Sequence, residues 1–252
     1  MKILFITPSY YPNVGGVEYV VKSIAERLAA LGHETTVVTG DPKANKPREE
    51  EINGVHVIRW PTWAPSGAYH IPKERDQLRN LLRKLLNDAD AVHIHSAHAV
   101  LTVWAAAAAR RINPDMRIVF TPHYHGTGHS ALRRLLWIPW RRYVAHAVEA
   151  IDAIHAARTC EAQLLKSHYP QASNKTVVIP NGVDEDVFGY KWHRQRLHDI
   201  RREGRGIQAV RAGNGSGKGT GVKAESGGEM ISPGKLGRYA QRHGAALDLL
   251  DP

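Results

Sequence analysis

One cysteine, three methionines and three phenylalanines stand in 252 residues. The single thiol, Cys160, excludes an internal disulfide, and thiol catalysis would need a partner that no pattern in the sequence identifies. Long apolar runs are missing too: the longest, residues 99–109, is half alanine, closes on Arg110-Arg111 and is too short to cross a bilayer. The run after Met1-Lys2 is too short for a signal peptide, so the expected location is the cytoplasm. No zinc-finger spacing, RNP-like aromatic pattern or basic heptad array is present, so nucleic acid is not an expected partner despite a formal charge of +10. That charge is unevenly placed. Residues 1–188 hold 22 Lys/Arg against 18 Asp/Glu, and residues 189–252 hold 12 against 6, so the last quarter supplies +6 of the +10.

An apolar fraction of 42% is ample for a core. Through residues 1–188, short β-branched or apolar runs alternate with helical patterns, the signature of an α/β domain with a Rossmann-like parallel sheet and helices on both faces. Strands are expected at 2–7, 35–39, 55–60, 91–95, 117–121, 150–155 and 176–179. Val17, Val20, Val21, Ile24, Leu28 and Leu31 stripe a first helix that Gly32 is placed to stop, and Leu78 to Leu86 stripe a second. Helices are also expected over 100–111 and 159–169, with a long one toward Glu149 broken or kinked at Pro139.

Such sheets place ligands at the loops leaving the carboxyl ends of their strands. Here those are residues 8–16, 96–98, 122–130 and 180–184, all rich in Gly, Pro, His, Ser or Asn. Gly15 and Gly16 join the first strand to its helix, where a missing Cβ lets backbone approach a ligand and orphan N–H groups favour phosphate or carboxylate. A tight turn binding nothing is the alternative reading of the pair. Glu18, in the first turn, is read as stabilising the helix start through its dipole. His93 and His95 share one face of a strand, a spacing that suits a metal, with His98 as a possible third ligand; a metal-dependent hydrolase is therefore a rival reading. Asn181-Gly182 is a strong turn signal.

Taken in order, the opening strand followed by PNVGGVE, then LAALGHETTVVT, DADAVHIHS, FTPH, AIDAIHA and VIPNGVDEDVF resemble the N-terminal domain of family 4 glycosyltransferases, retaining enzymes of the two-domain GT-B fold. The resemblance covers about three quarters of the chain. It implies transfer of a sugar from a nucleotide-sugar donor to a hydroxyl acceptor (glycan, lipid-linked or small molecule), with no separate cofactor. Gly15 and Gly16 would lie against the donor diphosphate or the acceptor, and His123 near the donor sugar as the catalytic candidate. His95 and Ser96 would end a strand facing the cleft, and Asn181 and Gly182 would form the connector to a second domain. The run Arg133 to Tyr143 interleaves cations with Trp and aliphatics, which suits either an anionic membrane surface or a core helix with snorkelling arginines. Relatives that glycosylate lipid carriers dock through this domain, so peripheral membrane contact at the inner face is a further expectation.

Residues 189–252 hold 13 of the 22 glycines and read as a basic, irregular tail in place of a donor-binding domain. Residues 213–220 imitate a phosphate loop, but Ala212 and Gly219 stand where the Walker pattern needs glycine and Ser or Thr. The tail is read as a truncation or frameshift beginning between Phe188 and His198. A catalytically inactive remnant or nucleotide/sugar-binding module is accordingly the main alternative to an active enzyme.

Overall fold

The computed structural model describes residues 1–126 and 131–182. The chain divides into two units, and all of these residues belong to the first, Met1–Val187. The expected tail and the Walker-like segment lie outside the described residues.

The elements in chain order are β1 (Lys2–Thr7), α1 (Gly16–Ala30), β2 (Glu34–Asp41), β3 (Arg48–Ile52), β4 (Val55–Trp63), β5 (Ile71–Pro72), α2 (Arg75–Asp88), β6 (Ala91–His95), α3 (Val100–Ile112), β7 (Arg117–Thr121), α4 (Ala131–Ala150), β8 (Ala153–Ala156), α5 (Thr159–His168) and β9 (Thr176–Val178). The sheet order is β3-β4-β2-β1-β6-β7-β8-β9, with β5 beside β4. All pairings are parallel except β3 and β5 against β4. The α/β expectation therefore holds. Two short strands went unread: β3 is Arg-Glu-Glu-Glu-Ile, whose charges mask any strand pattern and suit a solvent-facing edge. α4 runs as one element through Pro139.

Helices cover both faces, unequally. Val21 and Ala25 of α1 bury against Phe5, Val37, Val55 and Val57 on one face. On the other face, Leu78, Leu82 and Leu86 of α2, the alanine-rich side of α3, and residues of α4 and α5 bury against Leu4, Ile6, Val92, Ile94, Ile118 and Phe120. The small side chains of α3 let it lie close to the central strands, and Ala105, Ala106 and Ala109 are fully buried.

Chain direction reverses its march across the sheet at β1, whose neighbours are β2 on one side and β6 on the other. A crevice opens at such a switch point, at the carboxyl ends of the strands. Close approach there demands glycine: a Cβ on Gly40 would lie 2.8 Å from the Pro8 carbonyl oxygen.

Leu82 faces this larger core and is 1% exposed. Leu82→Ala is expected to lower unfolding free energy by about 2–5 kcal/mol, read from the urea midpoint of the intact chain. A change within about 0.5 kcal/mol would show that α2 does not pack as described.

Candidate active site

The loop after β1 is fixed from within and from below. Thr7 Oγ1 donates to the Ser9 carbonyl (3.1 Å), the Asn13 N–H to the Tyr10 carbonyl (3.1 Å), and Asn13 Nδ2 to Ser9 Oγ (3.0 Å). Arg59, 2% exposed on β4, pairs with Glu50 and donates to the Tyr11 carbonyl. A buried guanidinium thus holds the segment that leads into Gly15. No sequence pattern pointed to Arg59; a lone arginine inside an apolar strand was the available signal.

Gly15 is the N-cap of α1, in extended conformation and without a side-chain cap. Glu18 folds back over it, so closely that a Cβ on Gly15 would collide with Glu18 Oε2. The carboxylate sits where the helix dipole favours negative charge. Space around Gly16 is open: an added Cβ meets nothing within 4 Å. Gly16, Tyr19, Ser23 and Arg27 on α1 form one wall of a groove of about 860 Å³, and His155, Ile179, Pro180, Asn181 and Gly182 form the other. Gly16, Asn181 and Gly182 therefore come together on one groove. Gly15 adjoins it, while His95 and Ser96, 0% and 4% exposed, lie below the surface.

Beside the groove, the parallel register stacks polar residues on the α1 face. His93 Nε2 is 2.8 Å from Thr121 Oγ1, which is 2.9 Å from His155 Nδ1, and His155 Nε2 is 2.7 Å from the Ile179 carbonyl oxygen. A carbonyl only accepts, so His155 carries its proton on Nε2. When that ring is neutral, Thr121 must donate to Nδ1 and in turn accept from His93 Nε2–H. One carbonyl orients the whole chain. His155 had escaped the sequence reading, its only mark being a polar residue near the end of a short β-branched strand.

His95 Nδ1 lies 3.3 Å from His123 Nε2, with the rings stacked at 5.6 Å. His95 also lies 4.1 Å from the His93 ring. Burial, then the neighbouring His155 and His123, pushes His93 down to about 3; burial, then His98 and His125, pushes His123 down to about 4. Burial, followed by His93 and His123, holds His95 well below the ordinary imidazole value. These three rings are neutral at pH 7. Both Ser96 and His123 adopt positive φ, 79° and 47°, at the ends of β6 and β7. Such strain is retained where surrounding contacts over-determine it. Here Ser96 N–H donates to the Thr121 carbonyl (2.8 Å), and Glu161 accepts the Tyr124 N–H (2.7 Å) and the Ala157 N–H (3.0 Å).

The described geometry gives the metal-hydrolase reading no support. His93 and His95 do share a face, and His98 packs beside Trp137 and His125. Among the described residues, no group of three or more His, Cys, Asp or Glu is arranged to hold a metal ion.

A largely parallel sheet, a glycine-led helix start and a groove beside the switch point together make a Rossmann-like α/β domain. More narrowly, the chain belongs to Glycosyltransferase Family 4, whose family model matches residues 14–187. It is 28% identical over 201 residues to a GDP-mannose-dependent alpha-mannosyltransferase of Mycolicibacterium smegmatis, covering 74% of this chain and 52% of that protein. It is 26% identical over 196 residues to one subunit of the phosphatidylinositol N-acetylglucosaminyltransferase of Arabidopsis thaliana, covering 75% of this chain and 41% of that protein. The chain thus spans about half the length, or less, of these curated relatives. Among solved structures, a sucrose-phosphate synthase from Thermosynechococcus elongatus aligns with a TM-score of 0.49 at 18% identity, covering 73% of this chain and 48% of that one.

The depressed histidines have a thermodynamic consequence. Their folded pKa values lie below the unfolded value, so between the two the unfolded state binds more protons and stability rises with pH. As pH falls from about 6.5 to 5, above the carboxylate range, each such histidine should remove up to about 1.4 kcal/mol per pH unit. Urea unfolding of the intact chain across that window reads the slope, and His93→Gln should make it shallower by close to one proton. A flat profile would contradict the buried placement.

Proposed function

We propose that this chain is the acceptor-side half of a retaining glycosyltransferase that moves a sugar from a nucleotide-sugar to a hydroxyl acceptor. The observation that carries this is the meeting of Gly16, at the start of α1, with Asn181 and Gly182 across one groove, inside a chain of this family. The first-turn N–H groups of α1 are suited to the diphosphate of the leaving group, whose negative charge grows as the glycosidic bond breaks. His123, neutral and partly exposed, is suited to a sugar hydroxyl. The alpha linkage in the mannosyltransferase's name supports retention, because GDP-mannose itself carries an α-linked sugar.

The acceptor we favour is lipid-linked, with the domain resting on the inner face of a membrane. No helix among the described residues is long and apolar enough to cross one. Instead α4 turns apolar side chains outward: Leu135, Leu136, Ile138 and Tyr143 are 56–65% exposed, beside exposed Arg142. Aliphatics with an aromatic and a cation fit an anionic headgroup layer. The phosphatidylinositol in the Arabidopsis relative's name supports the same acceptor class.

Isothermal titration of the purified chain with GDP-mannose, UDP-glucose and UDP-N-acetylglucosamine tests donor recognition, and a coupled assay for released nucleotide tests turnover. Gly16→Val should weaken donor binding by at least tenfold while the melting temperature stays within about 2 °C, since the site of the new side chain is open. Binding without turnover would support the binding-module alternative, and binding that ignores Gly16→Val would sink the assignment of the groove.

Co-sedimentation with phosphatidylglycerol vesicles tests the membrane contact. Ile138→Glu together with Arg142→Glu should cut the bound fraction several-fold, as should high salt. Retention unchanged by either treatment would rule the α4 surface out.

A further inference from the structure

We infer that His95 is a positioning residue that sets the tautomer of His123, holding it with the proton on Nδ1 so that the ring offers a hydrogen-bond donor to its ligand. The inference rests on the proposed role of His123, but the geometry behind it does not. His95 Nδ1 and His123 Nε2 face each other at 3.3 Å, so one carries the shared proton and the other accepts it. The second nitrogen of His95, Nε2, is buried and has no hydrogen-bond partner among the described residues. That asymmetry decides between two arrangements.

If His123 donated from Nε2, His95 would accept on Nδ1 and keep its own proton on Nε2, stranding an N–H donor in the core. If His95 donates from Nδ1, the stranded atom is a bare lone pair instead. Buried unpaired N–H groups are rarer and costlier than under-used acceptors. The surroundings offer Nε2 no alternative: His95 is wholly buried, packed between the rings of Phe5, His93 and His123. His95 therefore donates, His123 accepts on Nε2, and His123 keeps its own proton on Nδ1, the donor that the proposed sugar contact would use.

The chemical consequence is specific. A neutral imidazole presenting N–H is a hydrogen-bond donor to a sugar oxygen, and it has no lone pair free for proton abstraction, because its only bare nitrogen is occupied by His95. His123 is thus assigned to binding and orienting a hydroxyl or ring oxygen of the donor sugar, not to general-base chemistry.

Long-range ¹H–¹⁵N correlation spectra of the full chain labelled with ¹⁵N-histidine, at pH 7, read the tautomer directly. The His123 signals are assigned by their loss in His123→Gln. The expected result is a pyrrole-type Nδ1 and a pyridine-type Nε2 for His123. His95→Asn, whose amide N–H takes the place of Nδ1–H, should keep that pattern, and His95→Leu should exchange it for the Nε2–H form that free imidazole prefers. Should the leucine variant fail to fold, His95→Gln, whose amide reaches the Nε2 position instead, should give the same exchange. A pyrrole-type Nε2 on His123 in the unsubstituted chain, or an unchanged pattern in a folded leucine or glutamine variant, would overturn the inference. The spectra need no substrate, so they succeed or fail independently of whether the chain transfers sugar.

Discussion

The double engagement of β1 is the constraint on which the rest of this domain depends. With β2 on one side and β6 on the other, all parallel, the backbone of an interior strand is paired along both edges, and the crossovers are forced to diverge from it. The divergence sets α1 alone on one face and α2 to α5 on the other. It also separates the loops after β1 and β6, which leaves room for a groove above the sheet. Arg59 then anchors the β1 loop from the neighbouring strand. Functional geometry here is inherited from strand order.

Unequal covering of the faces explains the chemistry of the α1 side. Beyond the reach of α1, the sheet presents His93, His95, Thr121 and His155 where an apolar layer would otherwise stand. Parallel register lines these residues up across three strands, and hydrogen bonds satisfy most of their polar atoms. Neutral rings at close spacing are tolerated there because none of His93, His95 and His123 carries charge at neutral pH. The arrangement supplies directional donors without introducing a strong local field.

Much of this was legible in the sequence. The strands at Lys2–Thr7, Ala91–His95 and Arg117–Thr121 were read residue for residue, because buried parallel strands are continuous β-branched runs bounded by polar turns. β3 was not, since consecutive glutamates mask the strand pattern of an edge whose only apolar side chain on the core is Ile52 and whose strand partner is β4. The glycine turn and the Asn181-Gly182 turn were found by local chemistry, whereas their meeting across one groove is a product of tertiary structure. His155 and Arg59 stayed hidden for the same reason. Each acts on a backbone carbonyl distant in sequence, 24 and 48 residues away respectively, and no spacing rule encodes such a contact.

Among the described residues β9 closes one side of the sheet, pairs only with β8, and is followed directly by Ile179; Val177, Val178 and Ile179 are all 40–56% exposed. An outer strand with exposed β-branched side chains is a template for another strand. Whatever lies against that edge in the working protein also acts as its guard against aggregation.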